Sequence, residues 1–325
     1  MMKIVVVLLV ACLGPSFVDA ACGRKPPGAR VINGQNAQPH SWPWQISLRP
    51  YGRYHSCGGT LISDRWVVTA SHCVHKNPRP SYTVVVGAHE RNGKTAVQES
   101  IPVSHVIEHP EYDDRKIKND IALLELSRPV KFDREGKVGT ACLTNQQPTP
   151  GKRCYITGWG STIGTGNSPR ILQQAMLPIA SHNDCKNKYY GVSSTAHLCA
   201  GEARSGASGG CNGDSGGPLV CEDNGRWYLH GAVSYGKLHC PTTYYTVFAR
   251  VASYTDWIKQ VTGVGIDGSS SGGGGVNPPP PPPPPTNAPP TGDCTNKASN
   301  CHEITSYCGV PKIRNYWCRK MCKKC

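Results

Sequence analysis

The chain has 325 residues, a formal net charge of +14 and 17 cysteines, and 38% of its residues are hydrophobic. No apolar run reaches the roughly 20 residues that span a bilayer, which argues against an integral membrane protein. The many cysteines favour an oxidising compartment, where disulfides persist. Nucleic acid is therefore not expected as a partner, despite the positive charge.

Residues 1–20 are predicted to be an export signal. Lys3 precedes the apolar run from Ile4 to Leu13, and Val18-Asp19-Ala20 supplies small residues for cleavage before Ala21. The apolar run is too short to cross a membrane, so we expect a secreted, extracellular and soluble protein. The alternative is a signal that is retained as an anchor.

The next 240 or so residues, by their pattern of short strands, are predicted to be all-β. Short β-rich runs recur between clusters of Gly, Pro and Asn: Trp66–Thr69, Tyr82–Val86 and Leu229–Val233. The spacing alone indicates an antiparallel sandwich or barrel. One helix is predicted near the end, where Ser253 and Asp256 form a capping box. It is followed by an apolar face of Trp257, Ile258 and Val261.

Three short motifs carry side chains suited to nucleophilic catalysis. His72, in Thr69-Ala70-Ser71-His72-Cys73, can take up a proton near neutral pH. Asp120 heads an apolar run and can be buried, where a carboxylate fixes the tautomer of an imidazole. Ser215 lies in Gly213-Asp214-Ser215-Gly216-Gly217-Pro218, whose glycines let the backbone approach a substrate carbonyl. Together the motifs favour catalysis over a core histidine and a surface turn.

The order His, Asp, Ser with these flanking residues resembles the trypsin/chymotrypsin family of serine proteases, over residues 31–262. The resemblance implies two six-stranded antiparallel β-barrels with the site in the cleft between them. It implies that His72 is the general base, Asp120 its orienting partner and Ser215 the nucleophile. The N–H groups of Gly213 and Ser215 would form the oxyanion hole. Because the triad is complete, we expect an active endopeptidase rather than an inactive homologue.

The resemblance also implies a zymogen. Ala29-Arg30-Val31-Ile32-Asn33-Gly34 matches the activation site of the family, so residues 21–30 are predicted to be a propeptide. Cleavage after Arg30 would free the α-amine of Val31, and Asp214 is the partner that the family provides for it. The alternative for Asp214 is an ordinary turn residue. Because an α-amine titrates near pH 8, we expect activity to weaken in mildly alkaline solution.

The resemblance places the base of a specificity pocket at Gly209, beside Gly210. The other residues that it assigns to substrate binding are Ser234, Tyr235, Gly236 and Thr246. None of these positions holds a carboxylate, so a substrate cation would be buried without a partner. We therefore expect a chymotrypsin/elastase-like preference for apolar residues before the scissile bond. Activation after Arg30 would then need a separate trypsin-like protease.

The cysteines divide into groups that can pair completely. Cys12 lies in the signal, ten cysteines lie between Cys22 and Cys240, and six lie in the last 32 residues. Spacing alone leaves the connectivity open. The protease resemblance implies five pairs: Cys57–Cys73, Cys154–Cys221, Cys185–Cys199, Cys211–Cys240 and Cys22–Cys142. Zinc binding is the weaker alternative, because the protease region lacks paired Cys-x-x-Cys knuckles.

Residues 263–293 are predicted to be a linker. They hold a Ser/Gly run and eight consecutive prolines, Pro278 to Pro285, which favour a flexible stretch and an extended polyproline rod. A ligand for SH3-like domains is the alternative. Residues 294–325 are too few for an ordinary core, so their six cysteines predict a disulfide scaffold.

The ending Cys318-Arg319-Lys320-Met321-Cys322-Lys323-Lys324-Cys325 resembles the ShK-type toxin (ShKT) domain of potassium-channel blockers. The resemblance implies three further pairs: Cys294–Cys325, Cys301–Cys318 and Cys308–Cys322. The toxins block channels with a Lys-Tyr pair, but here the corresponding loop carries Lys312-Ile313, with Tyr316 further along. A docking or structural module is therefore favoured over channel block. Its basic charge predicts an anionic cell-surface or matrix partner.

Two functions from different classes follow. The first is a secreted serine endopeptidase that acts as a monomer on proteins or peptides. The alternative is an ShKT-bearing toxin or binding protein that uses its protease region as a carrier. We expect no cofactor and no metal: the positions of a calcium loop found in some family members hold Ala88 and Gln98. Tyr245 leaves a sodium site as an open alternative.

Overall fold

The structure is a computed structural model that describes residues 22–26, 35–75, 81–161, 168–211 and 213–268. The predicted signal, the activation residues Arg30 and Val31, nearly all of the linker and the ShKT-like tail lie outside the described residues. The strands, labelled in chain order, are β1 (Gln35–Asn36), β2 (Gln45–Pro50), β3 (Cys57–Leu61), β4 (Trp66–Thr69), β5 (Tyr82–Val86), β6 (Glu99–Glu108), β7 (Ala122–Leu126), β8 (Cys142–Leu143), β9 (Arg153–Gly158), β10 (Gln173–Pro178), β11 (His197–Ala200), β12 (Pro218–Asp223), β13 (Arg226–Tyr235) and β14 (Thr246–Arg250). The α-helices are α1 (His182–Lys188) and α2 (Thr255–Thr262).

The first barrel closes in the order β2-β3-β4-β7-β6-β5, with every neighbouring pair antiparallel. Its strands are short and rich in Val, Ile and Leu, which suit a pleated and buried surface. Ile46, Val84 and Leu124 are fully buried. Strands β3 and β7 are buried almost along their whole length, because one face of each lines the barrel and the other is covered.

The second barrel follows the order β10-β9-β12-β13-β14-β11. A single antiparallel bridge between Ile179 and Ala200 brings its two ends together. Strand β1 adds to the outside of β10, and β8 pairs in parallel with β13. The predicted fold of two six-stranded antiparallel barrels is thus confirmed, and the three predicted strands lie in β4, β5 and β13.

A shared core joins the two barrels. Buried residues of the first barrel, such as Leu124, belong to the same apolar cluster as Leu229 and Ala249 of the second. Trp42, Trp44 and Trp227 pack their rings against one another within it, with centroids 5.0–6.4 Å apart. This contact fixes the relative position of the barrels, and therefore of any site between them.

Helix α2 forms where it was expected, with Trp257, Ile258 and Val261 on its buried face. The predicted capping box is wrong. Ser253 ends a preceding 3-10 turn, and its hydroxyl donates to the carbonyl of Thr195 instead of capping the helix. A partner distant in sequence therefore displaced the local bond. No helix of the described residues is long and apolar enough to span a membrane.

Candidate active site

His72 and Asp120 lie close together because β4, which precedes His72, pairs with β7, which follows Asp120. His72 lies in a 3-10 turn after β4, Asp120 lies just before β7, and Thr69 pairs with Ala122. The Nδ1 atom of His72 lies 2.7 Å from Oδ2 of Asp120. The backbone N–H of His72 donates to Oδ1 over 2.8 Å. Two bonds from one residue therefore fix how the ring faces the carboxylate.

Asp120 is 1% exposed, and its carboxylate is fully engaged. The hydroxyl of Ser234, on the second barrel, donates to Oδ2 over 2.5 Å. A carboxylate can only accept a hydrogen bond, so Nδ1 of His72, which faces it, carries the ring proton. This tautomer leaves the lone pair on Nε2, which is the atom that can take up a proton.

The backbone of Ser215 is bonded to β3, the strand that a disulfide joins to the turn of His72. The N–H of Gly58 in β3 donates to the carbonyl of Ser215 over 2.8 Å. A Cβ on Gly58 would lie 2.8 Å from Cα of Gly217, so only glycine permits this approach. Cys57, the neighbour of Gly58, is disulfide-bonded to Cys73, the neighbour of His72. The hydrogen bond from Gly58 and the Cys57–Cys73 disulfide therefore tie Ser215 and His72 to the same strand end, and the described contacts include no hydrogen bond between their side chains.

The backbone around Ser215 offers free donors. Gly213 has a φ of +98°, a conformation that favours glycine. No described residue accepts from the N–H of Gly213 or of Ser215. Two such N–H groups can bond an oxyanion that forms beside the Ser215 hydroxyl.

A buried histidine that the sequence reasoning missed supports this turn. Nε2 of His55 lies 2.9 Å from the carbonyl oxygen of Gly213, and Nδ1 lies 2.9 Å from Oγ of Ser47. Burial lowers the pKa of His55 to about 4, so the ring is neutral at neutral pH. It therefore donates to Gly213 and accepts from Ser47. The only sequence signal is its position two residues before Cys57.

Asp214, the neighbour of Ser215, lines a cavity of its own. Its carboxylate accepts from the N–H groups of Gly160 (2.8 Å) and Cys211 (2.9 Å). Burial raises the pKa of Asp214 to about 6. The adjoining cavity has a volume of about 430 Å³. Such a space beside a buried acid can accept a cationic group.

Another cavity, of about 300 Å³, opens beside Ser215. Ser234, Tyr235 and Gly236 line one wall, as the resemblance implied. The hydroxyl of Thr246 accepts from the N–H of Gly210 over 2.8 Å.

The floor of this cavity differs from expectation. Gly209 lines the neighbouring cavity beside Asp214, whereas Gly210 and Thr246 line the pocket beside Ser215. A Cβ on Gly209 would lie 3.6 Å from Oγ1 of Thr246, while one on Gly236 would meet nothing within 4 Å. The space beside Gly236 is therefore open.

Five disulfides lie within the described residues: Cys22–Cys142, Cys57–Cys73, Cys154–Cys221, Cys185–Cys199 and Cys211–Cys240. They are the five pairs that the protease resemblance implies. Cys211–Cys240 joins two walls of the pocket beside Ser215. The sulfurs of Cys57 and Cys73 lie near a ring nitrogen of His72, as in a metal site. Because they are oxidised to a disulfide, they are not thiolate ligands.

The geometry agrees with a comparison against protein families. The family model described as Trypsin matches residues 31–258 of the 325-residue chain. The match covers both barrels together with His72, Asp120 and Ser215. This chain belongs to the trypsin family of serine proteases.

Proposed function

We propose that this protein is a secreted endopeptidase zymogen that cleaves peptide bonds after apolar residues. The observation that carries the proposal is the pairing of His72 with buried Asp120, together with a pocket beside Ser215 whose described lining holds no carboxylate. These groups suffice for acyl transfer through a covalent intermediate.

In the first half-reaction Oγ of Ser215 attacks the substrate carbonyl carbon while Nε2 of His72 removes the hydroxyl proton. The resulting oxyanion accepts from the N–H groups of Gly213 and Ser215. His72 then gives the proton to the leaving amine, the C–N bond breaks, and an acyl-enzyme remains. Asp120 stays ionised and stabilises the protonated ring.

In the second half-reaction water attacks the acyl-enzyme. His72 removes a proton from the water and returns it to Oγ of Ser215 as the ester bond breaks. The acid product leaves, and both residues regain their starting state. The complete cycle consumes one water molecule for each peptide bond.

Thr246 and Gly236 support the apolar specificity. The described lining of the pocket holds no Asp or Glu, so it presents no negative charge to a substrate cation. The open side at Gly236 admits a large side chain, while Thr246 limits its length. We expect Leu, Met, Phe or Tyr before the scissile bond.

The five disulfides support export, and the ShKT-like tail is proposed to dock the enzyme on an anionic surface.

Activation is proposed to follow cleavage after Arg30. The α-ammonium of Val31 would enter the cavity beside Asp214 and pair with its carboxylate. The raised pKa of Asp214 supports this step, because a buried acid without a cation favours its neutral form. The pair would order the turn that carries Gly213 and Ser215.

The experiment is to treat the secreted chain with trypsin, inhibit the trypsin selectively, and assay peptides that differ only before the scissile bond. We expect turnover after Leu, Met, Phe or Tyr, and none in Ser215→Ala. Cleavage after Arg or Lys would contradict the proposed pocket. Absence of turnover from a folded chain with a free Val31 would contradict the proposed enzyme.

A further inference from the structure

Two lysines that are far apart in the sequence approach the ring of Tyr244, and one of them lines the pocket beside Ser215. Nζ of Lys188, the last residue of α1, lies 5.5 Å from the ring centroid of Tyr244. Nζ of Lys237, which lines the pocket, lies 5.3 Å from the same centroid. Both lysines are exposed. The ring attracts each cation, but the cations repel each other.

No described acid neutralises this pair. Neither Lys188 nor Lys237 forms an ion pair with a described residue. Asp184, four residues before Lys188 on α1, is positioned to do so. Its carboxylate instead accepts from the hydroxyl of Ser181 over 2.6 Å. Lys188 and Lys237 are therefore two cations without a direct ion pair among the described residues, and one of them lines the pocket.

The backbone beside the lysines is free to bind a peptide. Gly236 directly follows β13, and neither its N–H nor its C=O bonds to a described residue. A peptide can add to such an edge as an antiparallel strand. With its apolar residue in the pocket at Ser234, such a strand reaches Gly236 two residues upstream. The side chains at this point and next to it would approach Lys237.

We propose that Lys188, Lys237 and Tyr244 form a subsite for a substrate carboxylate, at the third or fourth residue before the scissile bond. The inference rests on the proposed endopeptidase function and extends its specificity. The preferred substrate is then a peptide with Asp or Glu upstream of an apolar residue. Leu238, which is 76% exposed between Lys237 and His239, adds apolar contact for the same peptide segment.

The test uses peptides with Leu before the scissile bond and Glu, Gln or Lys at the third or fourth upstream position. For the activated full chain at low salt, we expect kcat/KM for Glu to exceed that for Gln about 5-fold, mostly through KM. The ratio should fall toward 1 in about 0.5 M NaCl, because salt screens exposed charges. Lys at the same position should be disfavoured.

Variants test the assignment through the Glu/Gln ratio within each protein. Lys188→Gln and Lys237→Gln should each lower the ratio, and the double variant should bring it close to 1. Lys186→Gln is the matched control, because it removes the same charge from α1 two residues away, on a different helix face. It should leave the ratio unchanged.

A wild-type ratio near 1, a ratio that survives in the double variant, or an equal loss in Lys186→Gln would overturn the subsite. Acid preference confined to positions after the scissile bond would also overturn it. Failure of the endopeptidase proposal looks different: the Gln peptide itself is not hydrolysed, or its hydrolysis persists in Ser215→Ala.

Discussion

His197, at the start of β11 in the second barrel, bonds to Ile117 in the loop that leads to Asp120. Its Nε2 lies 2.9 Å from the carbonyl oxygen of Ile117, and its Nδ1 accepts from the N–H of Ser193 over 2.9 Å. The neutral ring therefore donates at Nε2. Ile117 has a φ of +47°, which is unfavourable for a β-branched residue. We infer that His197 holds this strained turn and so positions Asp120.

His197→Leu should lower kcat/KM on the order of 10-fold and the free energy of unfolding by about 1–3 kcal/mol, because two partly buried backbone groups lose their partner. Activity against peptides and urea unfolding measure the two effects. Unchanged kcat/KM in a destabilised variant would mean that the bond only supports the fold.

The fall of the free energy of unfolding at acid pH provides a second test of His197. Burial lowers the pKa of His197, and the charges of Lys118 and Arg250 lower it further, whereas the charge of Asp120 raises it. Below the ordinary value of 6.5 the unfolded chain binds a proton that the folded chain does not. The stability that His197 contributes should thus be complete above pH 6.5 and decline as the pH falls below it. This part of the pH dependence should be absent from His197→Leu.

Asp120→Asn should reduce kcat about 10³–10⁴-fold with little change in KM, because an amide does not hold the imidazole tautomer that leaves Nε2 free. Steady-state kinetics on an apolar peptide measure this. Asp256→Asn, which changes an exposed acid on α2, is the control and should retain full activity. A loss below 10-fold in Asp120→Asn would argue against the assigned role.

Thr246→Gly should shift specificity toward Phe and Tyr, relative to Leu, by about 10-fold, because the pocket loses a lining side chain and gains space. Thr246→Ser keeps the hydroxyl that bonds to Gly210 and should shift the ratio less. Gly236→Val should act in the opposite direction and favour Ala, since its side chain would enter open space at the mouth. Competition between paired peptides gives the ratios. Equal ratios in all three variants would place the specificity elsewhere.

His230→Leu should make the protein less sensitive to acid. His230 is 3% exposed in β13, neither ring nitrogen has a described partner, and burial lowers its pKa to about 4. Between pH 6.5 and 4 only the unfolded chain binds this proton, so the folded state loses about 3 kcal/mol as the pH falls. Urea unfolding at pH 4.5 and 7.5 should show a smaller difference in the variant. An identical difference would contradict the pKa shift.

Asp214 should produce the reverse trend in the uncleaved chain. Its pKa is raised to about 6 from 3.8, so its contribution is favourable below pH 3.8 and is lost as the pH rises through 6. The loss is on the order of 3 kcal/mol. Uncleaved Asp214→Asn should therefore be more stable than the parent at pH 7.5. After cleavage, the same variant should lack activity. Greater stability of the parent at pH 7.5 would contradict an unpaired buried acid.

Local sequence was sufficient where the signal is contiguous. The three motifs around His72, Asp120 and Ser215 each consist of neighbouring residues, and the β-rich runs coincide with strands. The capping box at Ser253 failed for the opposite reason: its hydroxyl bonds to Thr195, 58 positions away in the chain. A local pattern does not reveal which distant acceptor competes for a donor.

By itself the sequence determined the all-β pattern and the identities of the triad residues, because hydrophobic period and short motifs encode them locally; the two-barrel fold followed from the family resemblance that those motifs carry. Only the tertiary structure decided the hydrogen bonds of His55 and His197 between separate elements, and the separation of Gly209 from the pocket that Thr246 lines. It also brought Lys188 and Lys237 to one ring. Each of these contacts joins residues far apart in the chain, and their distances depend on how the two barrels pack.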